Sequence, residues 1–68
     1  MTIEEEAIEL ARVASGLPVG GYMGFEVSED LHGQEPQIIE RTKDVLHAQD
    51  EGGIELTYSH GNIRIERP

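Results

Sequence analysis

Four of the eight glycines fall in residues 16–27, GLPVGGYMGFEV, and clustered glycines are where a chain can cradle a phosphate. A dinucleotide cradle wants G-x-G-x-x-G running from a strand into a helix, so that the helix N-terminus meets the phosphates. Here the string is VGGYMG, which lacks the first glycine, and a helix pattern precedes it while a strand pattern follows. No Gly-Lys-Ser/Thr is present to make a P-loop. The glycines fit a chain reversal instead: Gly16 after a helix, Pro18 against its continuation, Gly20 and Gly21 in the turn. Gly24 falls inside the strand pattern, where a glycine marks a bulge or a close approach of another backbone.

The histidines are His32, His47 and His60. A zinc site needs three or four converging ligands, and no H-x-x-x-H or H-E-x-x-H spacing exists; His32 beside Asp30 is the nearest approach to one. Ser59 and His60 are chain neighbours, and neighbours in a strand point to opposite faces, which disfavours a nucleophile–base pair. Residues 49–53, QDEGG, lack the spacing of a calcium loop. General acid–base work needs a carboxyl in an apolar pocket, for which a chain this short has little room. The expectation is a protein that is not an enzyme and uses no cofactor or metal.

The carboxylates are the dominant chemistry. Fourteen Asp and Glu face five Lys and Arg, a net charge of −9. That field repels nucleic acid and anionic membranes and attracts basic protein surfaces, such as those of nucleic-acid-binding proteins. The expected function is a small acidic protein-binding module, a regulator or inhibitor docking on a basic partner surface. One version is a phage-type mimic whose carboxylates stand where phosphates would. The residues expected to carry docking are Glu4, Glu5, Glu6, Glu9, Glu26, Glu29, Asp30 and Glu55. One alternative is a structural protein that assembles as a homo-oligomer through an edge strand, with the terminal strand, residues 62–67, as that edge. Another is acidity that serves only as adaptation to a salt-rich cytoplasm.

The elements that must position these groups follow from periodicity. Thr2 and Glu5 form a capping box, and Glu4, Glu5 and Glu6 occupy the first turn, where the helix dipole favours negative charge. Ile3, Ala7, Leu10 and Ala14 then recur on one face, which predicts a helix over 3–15. Met23, Phe25 and Val27 alternate with Tyr22, Gly24, Glu26 and Ser28, a half-buried strand over 22–28. Residues 28–35 read as a polar loop. Pro36 opens a second helix over 36–49, with Ile38, Ile39, Thr42, Val45 and Leu46 along one side. Ile54, Leu56 and Tyr58, then Ile63 and Ile65, alternate about SHGN. A two-residue turn at His60 and Gly61 sets Tyr58 opposite Ile63, Leu56 opposite Ile65, and Glu55 opposite Glu66.

These elements predict one α+β domain over residues 1–68 in the order α-β-α-β-β. The expected architecture is a three-stranded mixed sheet, with a parallel crossover between the first two strands and both helices packed on one face. The other face would be open and polar, carrying Tyr22, Glu26, Ser28, Glu55, Thr57, Arg64 and Glu66. Cysteine is absent, so no disulfide staples the small core. The acidic N-terminus, MTIEEEAIEL, is unlike the basic start of a secretory signal, so the expected location is the cytoplasm.

Overall fold

The computed structural model describes residues 1–68. The elements are α1 Ile3–Ser15, β1 Tyr22–Glu26, a 3-10 turn Glu29–Leu31, α2 Glu35–Ala48, β2 Glu55–Ser59 and β3 Asn62–Glu66. α1 begins at the capping box: Thr2 Oγ1 accepts the Glu5 N–H at 3.1 Å and Glu5 Oε1 accepts the Thr2 N–H at 2.9 Å. Its buried stripe is Ala7, Leu10, Ala11 and Ala14. Three of these four are alanine, so α2 comes close: Thr42 Oγ1 donates to Ile38 O at 2.6 Å and lies 3.5 Å from Ala7 O. α2 starts at Glu35 and ends where Asp50 turns to a positive φ of 58°. The expected polar loop before it contains the 3-10 turn, which buries Leu31.

The sheet is antiparallel throughout, in the order β1-β3-β2. This corrects the expected mixed sheet with a β1–β2 parallel pair. The hairpin register is as the alternation predicts: Tyr58 faces Ile63, Leu56 faces Ile65 and Glu55 faces Glu66. β1, however, adds on the β3 side, with Met23 opposite Ile65 and Phe25 opposite Ile63. A hairpin offers β1 two edges, and its own alternation serves either equally well. The long-range partners decide between them. Arg67 N donates to Gly21 O, and its Nη1 donates to Leu17 O at 2.9 Å, so the end of β3 is tied to the α1–β1 loop. β1 and β2 run the same way with β3 inserted between them.

The terminal strand is therefore central, which corrects its expected place at the sheet edge. Its apolar residues, Ile63 and Ile65, are fully buried. They join Leu10, Ala14, Ile38, Leu46 and Leu56 in one core cluster, with Phe25 packed against it. All the sheet residues in this cluster share one face. The helices do not cover that face equally. α1 packs chiefly along α2, and α2 lies over β2 and β3, so Met23 of β1 remains 40% exposed. No helix is long and apolar enough to cross a membrane.

Candidate protein-docking face

The strand residues that point away from the helices form three cross-strand rows. They are Tyr22–Glu66–Glu55, Gly24–Arg64–Thr57 and Glu26–Asn62–Ser59. No element covers this face. Gly24 keeps regular register opposite Arg64, so it marks no bulge. Its missing side chain instead forms the floor of an open groove of about 450 Å³, lined by Tyr22, Thr57, Ser59, Asn62 and Arg64. A Cβ at Gly24 would meet only Asn62 Oδ1, at 3.7 Å.

Arg64 organises the middle of the face. Its guanidinium carbon lies 5.1 Å from the centroid of the Tyr22 ring, a cation–π contact. Its Nε donates to Glu66 Oε1 at 3.0 Å, which offsets the like charges of Glu66 and Glu55 directly opposite each other. The groove thus offers hydroxyls, one amide and a guanidinium already engaged. Ser59 has no base against it, because the His60 ring turns toward His32, with centroids 5.1 Å apart.

The eight acidic residues expected to carry docking fall into separate groups. Glu6 is 3% exposed, and its Oε2 accepts the Ser28 N–H at 2.6 Å. It holds α1 to the end of β1 and has no free carboxylate to offer a partner, which corrects its expected place on the surface. Glu4 forms a two-point pair with Arg41, whose Nη2 donates to Glu4 Oε1 at 2.8 Å. That pair holds the Glu4 carboxyl below the usual range and raises Arg41. Glu5 is also lowered, by its bonds to Thr2 in the capping box. Glu9 pairs with Arg12 at 3.3 Å, and Asp30 pairs with the terminal ammonium at 3.3 Å. Only Glu26, Glu29 and Glu55 of the eight are exposed without a cation partner or a cap. Glu26 and Glu29 lie at one end of the sheet and Glu55 at the other. Two strand spacings and four residues along a strand put Glu26 and Glu55 about 16 Å apart.

The cations show the same arrangement from the other side. Arg12, Arg41, Arg64 and Arg67 each pair with a carboxylate of the chain, leaving Lys43 without one. Glu40 and Asp50 are two further exposed acids with no cation.

A second buried carboxylate escaped the sequence reading. Glu35 is 2% exposed, and it accepts the Gly33 N–H at 3.0 and 3.1 Å and the Gly61 N–H at 2.8 Å. Those bonds, the one from Gly61 foremost, hold its carboxyl below the usual range. The only sequence signal was a Glu beside Pro36 at a helix start, which also describes an ordinary exposed first-turn acid. His32 Nε2 lies 3.1 Å from Val27 O, so His32 is a backbone partner here, and Asp30 faces elsewhere. No group of three or more His, Asp or Glu converges as metal ligands would.

No protein-family model matches the chain, and neither curated proteins nor solved structures give a significant match.

Proposed function

We propose that this chain is a small acidic protein-binding module that docks its uncovered sheet face and the acids around it onto a basic surface of a partner. The supporting observation is the charge arrangement. Every arginine is neutralised within the chain, while Glu26, Glu29 and Glu55 stand exposed without partners around an unoccupied face. At about 16 Å, Glu26 and Glu55 are separated by more than the Debye length of about 8 Å at physiological salt. Each end of the face therefore meets its own basic group, and the partner needs cations spaced along its surface. A protein that binds nucleic acid carries basic groups along its binding surface, and the carboxylates would stand in for phosphates there.

The test is retention of basic nucleic-acid-binding proteins on the immobilised chain, compared with an E26K/E29K/E55K variant of equal thermal stability. The expected result is a partner held by the parent chain, released at moderate salt, and not held by the variant. Equal retention by both chains, or none by either, overturns the reading. An E4K/E9K variant, altered only at acids already paired, should retain most of the binding.

A further inference from the structure

We propose that β1 pairs antiparallel with β1 of a second copy about a two-fold axis at Gly24, joining two three-stranded sheets into one of six strands. The hydrogen-bond phase of the sheet leaves this edge open. Arg67 N donates to Gly21 O, and Val27 N donates to Gly61 O, so residues 21 and 27 turn their backbone toward β3. Antiparallel pairing alternates, so Met23 and Phe25 do the same, and the N–H and C=O groups of Tyr22, Gly24 and Glu26 point away from the sheet. Edge strands that stay single are commonly guarded by a lysine, a proline or a bulge. β1, YMGFE in regular register, has none of these, and its Tyr22 is 68% exposed.

The edge is complementary to itself. Pairing centred on Gly24 sets Tyr22 opposite Glu26 of the second copy and Met23 opposite its Phe25, twice over by symmetry. The Met23–Phe25 pairs lie on the helix side, where α1 and α2 leave Met23 partly uncovered. On the other side, Glu26 lacks a cation in its own chain, whereas Arg64 lies over Tyr22. The pairing brings the carboxylate of one copy beside the guanidinium of the other. The glycine at the axis leaves room for the two backbones to approach. β2, the opposite edge, offers no such match: it carries Glu55 and no cation, and its Leu56 is already buried.

The dimer shares Glu26 with the proposed docking face but needs no partner, so self-association is measured on the chain alone. Its interface is small and two chains of charge −9 repel each other, so it forms weakly and tightens as salt is added. Sedimentation equilibrium from micromolar to millimolar concentration should show a monomer–dimer equilibrium. E26R should weaken it about tenfold or more, and R64E likewise. Mixing E26R with R64E should restore association as a heterodimer. The guanidinium introduced at position 26 of one chain then meets the carboxylate introduced at position 64 of the other, and the remaining pair is the native Glu26 with the native Arg64. The chain has no cysteine, so G24C supplies one thiol on the axis, where paired strands place Cα atoms about 5.5 Å apart. Under mild oxidation G24C should form a disulfide dimer much faster than T57C, in the same cross-strand row but on the far strand β2. A chain that stays monomeric at millimolar concentration, a mixture that fails to associate, or equal cross-linking of G24C and T57C overturns the proposal.

Discussion

The Glu35 carboxylate accepts the N–H of Gly61, 26 residues along the chain, at 2.8 Å. This bond ties the first turn of α2 to the tip of the β2–β3 hairpin. It also explains where the β1–β3 ladder stops. Val27 N donates to Gly61 O, but the Gly61 N–H goes to Glu35 rather than back to Val27, and Val27 O meets His32 Nε2 instead. One buried carboxylate thus sets the end of the sheet.

Acid should loosen this end of the molecule first. The folded pKa of Glu35 is lowered, so its contribution is present above the unfolded value and is lost as pH falls through the folded one. Glu4 and Glu5 are lowered too and act in the same sense. The melting temperature should fall progressively below about pH 4.5. E35Q should melt several degrees lower at pH 7 and lose less on acidification, because its amide does not titrate. Thermal melts of both chains across pH 3–7 check this. Parallel curves would show that Glu35 does not carry the acid sensitivity.

Gly61 has a φ of 76°, and a Cβ there would lie 3.0 Å from the His32 ring. G61A should cost about 1–2 kcal/mol for the left-handed backbone alone. Denaturant unfolding of G61A beside G61A/H32A separates the two causes. If the ring contact matters, the second substitution recovers part of the loss.

Ile63 and Ile65 lie on the central strand and are fully buried, whereas Met23 lies on an edge. I65A should cost about 2–5 kcal/mol, a large part of the roughly 3–10 kcal/mol that holds a domain of this size. M23A should cost under about 1 kcal/mol. Chemical denaturation of both variants checks the strand order, since a β1-centred sheet would reverse the ranking.

Thr2 caps α1, with its Oγ1 accepting the Glu5 N–H. T2A should lose about 0.5–2 kcal/mol, and T2S should recover most of it. Amide exchange in the first turn of α1 should rise in T2A and not in T2S.

Helices were legible because their signals are local. The capping box fixed the start of α1 at Ile3, and the apolar spacing carried it to Ser15. The hairpin was legible for the same reason: a two-residue turn leaves one register that puts Leu56, Tyr58, Ile63 and Ile65 on one face. The outer face followed from that alternation, with Glu55, Thr57, Arg64 and Glu66 on it.

The placement of β1 was decided only in three dimensions. Its alternation of Met23 and Phe25 fits a strand beside β2 or beside β3, and both options bury the same side chains. Choosing β3 took partners far along the chain, Arg67 with Gly21 and Gly61 with Val27. The roles of the acids were equally hidden. In sequence Glu4, Glu5 and Glu6 form one run. In the folded chain the first pairs with Arg41, the second caps its own helix and the third is buried on Ser28 N. A carboxylate states its charge in the sequence. Whether that charge faces solvent, a cation or a backbone N–H depends on which distant segment the fold brings within hydrogen-bonding reach of it.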